Sequence, residues 1–492
     1  MPEPHPDLII RHAQIIDGTG AAPVIGDLAV GDDRILAIGD LGDCAASQEI
    51  DAHGKALAPG FIDVHTHDDR ALISDPLMAC KASQGVTTVI TGNCGISLAP
   101  FHLRGTALPP PLDLIAQRPE HTYRRIGDYL DRLDSDPAAI NSAALVGHST
   151  LRAGAMDRLD RTATKAEIAT MHGWLDGALE DGAIGFSTGL FYRPALAATT
   201  EEVIEIAKAL RPKGAIHTTH MRDEADEIAA SLAETFAIGR QAGVPVVISH
   251  HKVTHAANIG RTRETLALIE AARAGQRIGL DVYPYTASST VLDPRRLAGA
   301  SKILITWCKP RPELAGRDLA EIAAELGLDL AAAAETLVPA GAIYFTMDEA
   351  DVRRVLGYKH AMIGSDGLPH DSHPHPRLWG TFPRVLGHYA RDVGLFPLQE
   401  AVRRMTGLPA AQFGLRNRGI LKPGAFADLV LFDPKTVIDR ATFAQPTQAA
   451  AGIDRVLVNG RTIWRDGAST GDRPGRALRL RDLGPMGQDA AP

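Results

Sequence analysis

The chain of 492 residues predicts an α/β protein, a (β/α)8 TIM barrel with a small β-sandwich domain built from both chain ends. Three observations carry this expectation. Short apolar runs alternate with helical patterns eight times between residues 61 and 414. Strand-and-turn texture with no helical period fills residues 1–60 and returns over 415–480. Histidine, cysteine and aspartate recur at the C-terminal ends of the apolar runs, where a parallel barrel gathers its site.

In chain order, LIIRHAQIID, DLAVGDDRILAIG and a strand near Lys55–Ala58 alternate around Gly/Asp turns. The barrel strands follow at Phe61–His65, Val86–Thr91, Ala143–Gly147, Ala183–Ser187, Ala215–His220, Val244–His250, Arg277–Tyr283 and Ala361–Asp366. Runs of this kind suit strands buried on both faces. Thr164 with Glu167 and Thr199 with Glu202 fit capping boxes at helix starts between them. The Pro-rich stretch 96–125 predicts a loop over the barrel mouth. Residues 286–345 predict an insertion between strands seven and eight, with helices near 317–326 and 328–338 and a strand at Ala342–Thr346. An excursion of that length on the active-site face is a candidate lid. After Ala427–Phe432, a hairpin turns at Asn459-Gly460, and the tail beyond Ser469 reads as polar and ragged.

Composition narrows the function. A net charge of -8 without a basic block argues against nucleic acid and anionic membranes as partners. Four scattered cysteines form no disulfide framework. The N-terminus lacks a charged start followed by a long apolar core, and no apolar stretch approaches ~20 residues. These features predict a cytoplasmic protein.

The chemistry lies at five strand ends. His65 and His67, in Pro59-Gly-Phe-Ile-Asp-Val-His-Thr-His67, are two apart on one strand and face the same way. Cys94 sits in Thr91-Gly-Asn-Cys-Gly95, His220 ends strand five, His250 ends strand six and Asp366 follows strand eight. A barrel brings these ends to one point. His217 and His251 fall on other faces and are read as structural.

These pieces resemble the amidohydrolase superfamily. TGNCG, HTTHMRDE, ISHHK, DVYPY, PAGAIYF, MIGSDGLPHD and HPRLWGTFPRVLG further resemble the D-aminoacylase family, and the resemblance covers nearly the whole chain. It implies zinc-dependent hydrolysis of N-acyl-D-amino acids, with one tight zinc on Cys94, His220 and His250. His65 and His67, joined by Asp366, would hold a weaker second zinc. Three protein ligands and an open fourth position suit catalytic zinc, which brings the pKa of a water it binds toward ~7. Asp366 would be the general base and acid for the two proton transfers of amide hydrolysis. Lys252, Tyr283, Ser289 and Arg377 match positions for the substrate carboxylate, and Phe191, Tyr344 and Met347 match positions lining the side-chain pocket. Arg295 and Arg296 leave open an N-acyl-D-glutamate-selective deacylase. A cyclic-amide hydrolase of the hydantoinase or dihydroorotase kind is a further alternative, but strand four, Ala183–Ser187, has no lysine to bridge two metals.

Overall fold

The computed structural model describes residues 6–102, 108–116 and 118–489. Five strands open the chain: β1 Leu8–Ile15, β2 Val24–Gly31, β3 Arg34–Gly39, β4 Gln48–Asp51 and β5 Ala56–Pro59. Seven barrel strands follow: β6 Phe61–Asp63, β7 Val86–Thr91, β8 Asn141–Gly147, β9 Gly185–Gly189, β10 Ile216–His220, β11 Val246–Ile248 and β12 Ile278–Val282. Three more, β13 Ala287–Val291, β14 Ile303–Cys308 and β15 Ala340–Phe345, build the insertion before the eighth barrel strand, β16 Ala361–Ile363. The last are β17 Leu429–Phe432, β18 Ile453–Val458, β19 Arg461–Arg465 and β20 Ala468–Ser469.

The eight barrel strands pair in parallel in sequence order from β6 to β16. A parallel bridge between Thr66 and Gly367 closes the barrel. Its interior is a packed core in which Ile62, Ile90, Leu145, Ile216, Val247 and Met362 meet. Strands β6, β11, β12 and β16 end before the apolar runs do, because residues such as His65, His250 and Asp366 leave the ladder there. By contrast, β7 ends as expected, β8 starts earlier at Asn141 and β9 is shifted to Gly185–Gly189. Thr164 and Glu167 make the expected capping box. Thr199 caps the helix Thr200–Ala207 through its side chain, but the Glu202 carboxylate turns inward to His148 and Arg152 instead of back to the cap.

The sandwich expected from both chain ends is hydrogen-bonded as one continuous nine-stranded sheet, joined where β5 meets β17. One face has its own core around Ile10, Val30, Leu57, Leu429 and Leu457. The other face sends Ala58, Val430, Phe432 and Val456 into the large core that also packs the barrel helices.

Two expectations need correction. The insertion holds three antiparallel strands, in the order β13-β15-β14, where the sequence suggested one. Ala287–Val291 is Ser/Thr-rich and shows no apolar alternation, so its strand character comes from pairing with β15. Its two helices, Leu319–Leu326 and Leu330–Leu337, are present and are capped by Asp318 and Asp329. The tail is not ragged. Leu478 donates its N–H to the Ser142 carbonyl at 2.7 Å, and Leu478, Leu483 and Met486 join the barrel's inner core. Its apolar residues are spaced among polar ones, which hides them from a composition reading. Of the Pro-rich stretch, 103–107 and 117 lie outside the described residues, while Pro110, Pro111 and Asp113 face the cavity described next.

Candidate active site

A cavity of about 750 Å³ opens at the C-terminal ends of the barrel strands. His220, His250 and Asp366 stand on its floor, and Phe191, Ser289 and Tyr344 on its walls. The predicted ligands converge in two buried groups that share Cys94. In one, donor atoms of His65, His67, Cys94 and Asp366 lie within 4.8 Å of each other, and in the other those of Cys94, His220 and His250 do so.

Local backbone geometry aims these side chains. Cys94, His250 and Asp366 all have left-handed backbones, with φ of 53°, 36° and 51°. Non-glycine residues adopt this region at a cost, and such residues cluster where function demands it. Each turn lifts a side chain out of the strand's alternation and into the mouth.

Cys94 Sγ lies 3.2 Å from His65 Nε2 and 3.4 Å from His250 Nε2. His250 Nε2 in turn lies 2.9 Å from His220 Nδ1. His67 Nε2 is 3.2 Å from Asp366 Oδ1, and His65 Nε2 is 3.5 Å from it. Burial pushes the Cys94 thiol up, but the imidazoles of His65 and His250 outweigh it and hold the thiol well below its usual range. Burial likewise opposes ionisation of Asp366, yet Arg377 and His65 keep its carboxyl well below the ordinary range. The site therefore presents a thiolate and a carboxylate among imidazoles.

This donor set fits a metal. Nitrogen atoms of two histidines and one thiolate converge, an arrangement that suits one shared cation better than any hydrogen-bond pattern neutral rings can supply. His67 Nδ1 and His220 Nε2 are buried without a hydrogen-bond partner among the described residues.

Two residues at the site escaped the sequence reading. Glu224 lies with Oε1 3.0 Å from His250 Nδ1 and accepts from Lys252 Nζ at 2.7 Å. Asp281 lies with Oδ2 3.3 Å from His65 Nδ1 and accepts from the His250 backbone N–H at 2.9 Å. Carboxylates behind metal-type histidines orient the rings and raise their basicity. The available signal was an acid four residues after His220 and another at the end of strand seven.

The expected carboxylate anchors are adjacent but not equally accessible. Lys252 and Ser289 line the cavity. Arg377 and Tyr283 are buried behind them and do not line it. The Arg377 guanidinium pairs with Asp366 Oδ2 at 2.8 Å, donates to the Ser289 carbonyl at 3.1 Å and lies 4.6 Å over the Tyr283 ring. Ser289 Oγ, Tyr283 Oη and Arg377 Nε have no hydrogen-bond partner among the described residues. Burial pushes the Tyr283 phenol up to about 12, which keeps it a donor.

Phe191 and Tyr344 line the cavity, but Met347 does not. Its N–H binds the Thr286 carbonyl just past the end of β15, and this turn takes the side chain into a small void beside Lys252 and Tyr283. Arg295 and Arg296 both reach the cavity wall. Arg295 forks onto Asp293 at 3.0 and 2.8 Å, and Arg296 stacks 3.5 Å over Phe191. His217 and His251 stay outside both ligand groups, held by Thr188 and Thr265.

The chain matches the amidohydrolase family over residues 48–336 and 196–464. It is 57% identical to a D-aminoacylase of Alcaligenes xylosoxydans xylosoxydans over 96% of this chain and 97% of that protein. It is 52% identical to the N-acyl-D-aspartate deacylase of the same organism over 98% and 97%. Among solved structures it matches a D-aminoacylase studied for its binuclear metal centre, with a TM-score of 0.94, 56% identity and coverage of 96% and 100%. It also matches N-acyl-D-glutamate deacylase of Bordetella bronchiseptica, complexed with zinc and a phosphonate mimic of the tetrahedral intermediate, with a TM-score of 0.93, 48% identity and coverage of 96% and 99%. With a shared fold, near-complete coverage and more than half of the residues identical, the chain belongs to the amidohydrolase family and, within it, to the D-aminoacylases.

Proposed function

We propose that the protein hydrolyses N-acyl-D-amino acids to a D-amino acid and a carboxylate, using zinc. The observation that carries this reading is the arrangement of two buried donor groups around one thiolate, beside the unpartnered donors Tyr283 Oη, Ser289 Oγ and Arg377 Nε. Cys94, His220 and His250 would hold the tight zinc, and His65, His67 and Asp366 a weaker second one. Bound there, zinc would polarise the amide carbonyl and make a water molecule more acidic.

The protein's own groups do the rest. Asp366, ionised beside Arg377, accepts the proton of the attacking water and returns it to the leaving nitrogen. Lys252 and Ser289 receive the α-carboxylate at the cavity wall, and Tyr283 and Arg377 back them with donors that lack other partners. Phe191 and Tyr344 line the side-chain pocket. The insertion over 286–345 covers the cavity and excludes water. Cytoplasmic residence would keep the essential thiol of Cys94 reduced.

Selectivity for acidic side chains is the second reading, because Arg295 and Arg296 reach the wall. Arg295 is already neutralised by Asp293, and Arg296 covers an aromatic face, which favours apolar substrates. A rate panel over N-acetyl D- and L-methionine, leucine, glutamate and aspartate decides the matter. D-methionine and D-leucine derivatives should be fastest; a preference for the acidic pair would reassign the arginines, and equal rates on L-substrates would sink the reading.

A further inference from the structure

Seven of the eight strand neighbours in the barrel are joined by backbone ladders of three or more paired residues. The eighth junction, between β6 and β16, has no such ladder: it has the bridge from Thr66 to Gly367 and one backbone hydrogen bond, from the Asp366 N–H to the His65 carbonyl at 2.8 Å. Buried side chains reinforce this sparse backbone pairing. Asp63, the last residue of β6, accepts the Ser365 N–H on Oδ1 at 2.8 Å. Lys81 donates to Asp63 Oδ2 at 2.7 Å and to Ser365 Oγ at 2.8 Å. Its ammonium also lies 3.3 Å from Asp68 Oδ2. Lys81, Asp63 and Ser365 are each wholly shielded from solvent.

This junction separates the two halves of one ligand group. His65 and His67 continue β6 and Asp366 continues β16, so their distances of 3.5 and 3.2 Å are set across it. The strands also approach unusually closely here: a Cβ on Gly364 would lie 2.6 Å from the His65 Cβ. A buried ion pair seldom stabilises a fold better than apolar packing would, and its best-attested use is to fix register.

We propose that Lys81 is a positioning residue which, through Asp63 and Ser365, sets Asp366 against His65 and His67. The inference builds on the deacylase reading. Wild-type inactivity towards the panel would defeat that reading, whereas the ratio of variant to wild type and the affinity for a second zinc test the clasp.

The test compares zinc-loaded wild type with Lys81→Met and Ser365→Ala. Ser365→Ala removes one hydroxyl and keeps the Lys81–Asp63 pair, so it should fold. It should lower kcat about tenfold with KM little changed, because small misplacements of reacting groups are costly. Tight zinc content should stay at the wild-type level. The affinity of the one-zinc enzyme for a second Zn2+, followed with a chromophoric chelator, should weaken about tenfold, the lower range for a lost supporting contact. A kcat within about twofold of wild type and unchanged second-zinc affinity would overturn the proposal. Lys81→Met should show a larger loss of both. If it fails to fold, the triple variant Asp63→Asn/Asp68→Asn/Lys81→Met removes both buried carboxylate charges that Lys81 faces. Folded protein with low kcat supports positioning; folded protein with full kcat means that Lys81 only neutralises Asp63 and Asp68, and the proposal falls.

Discussion

As the proposed general base, Asp366 must stay ionised while packed against two imidazoles of the candidate metal site. Arg377 resolves this by pairing with Oδ2 and leaving Oδ1 facing His65 and His67. Asp366→Asn keeps the shape and removes the base, so it should retain tight zinc and lose about 10²–10⁴ in kcat; a rate within tenfold of wild type would refute the assignment. Cys94 belongs to both donor groups, so one substitution strikes both. Cys94→Ala should lose the tight zinc on dialysis together with activity, and metal analysis showing stoichiometric zinc with full turnover would remove Cys94 from the site. The candidate metal-site residues were legible because their types are rare and their strand-end placement is periodic. Glu224 and Asp281 were not, because an acid beside a histidine looks like any solvated charge until folding buries it. Met347 was expected in the side-chain pocket and does not line the cavity, because a matching position says nothing about a backbone turn after the strand.

The elements differ in how strongly they are pinned. The helix Thr200–Ala207 is fixed by Glu202, whose carboxylate meets His148 at 3.0 Å and Arg152 in a wholly buried pair. Burial raises this carboxyl, but His148 and Arg152 outweigh it and bring it to about 2. A folded value below the unfolded one means that the pair stabilises the protein above the ordinary carboxylate range. That stability is lost as pH falls through the window down to about 2. Glu202→Gln should cost about 3–5 kcal/mol at pH 7, since it strands Arg152 in the interior. Urea unfolding of the variant at pH 7 and pH 3 measures this, and an equal cost at both would contradict the linkage. The insertion is the contrasting case. Its three strands and two helices enclose a core of their own around Ile305, Leu319, Leu337 and Ala342. We propose that it closes as a unit over the cavity that Leu292, Trp307 and Tyr344 line. Hydrogen exchange with and without a D-amino acid product should show protection over β13 and the approach to Arg296; unchanged exchange would argue against a lid. Helices with clear caps were visible in the sequence, whereas β13 was not, because its strand character is conferred by its partner.

At the scale of the whole molecule, the barrel needs both of its ends filled, one by the site and the other by apolar packing. The tail performs the second task after passing through the end domain. It adds a parallel bridge at Ser142–Ala477 and brings Leu478, Leu483 and Met486 against Leu408 and Phe413 beneath the barrel's inner core. The alternation of strands and helices announced the barrel, because each buried parallel strand must be a short apolar run. Nothing local announced the tail, since three separated apolar residues acquire meaning only when a barrel end lies opposite them. Deleting residues 476–492 should therefore destabilise the protein on the order of 5 kcal/mol, from the burial of about three large apolar side chains. The effect should appear as a lower thermal midpoint, with zinc content and KM preserved below it, because the tail packs far from the strand ends that carry Cys94 and Asp366. A truncated protein with the wild-type midpoint would show that the tail only decorates a barrel that is complete without it. A truncated protein that lost zinc while still folded would show instead that packing beneath the barrel sets the geometry above it.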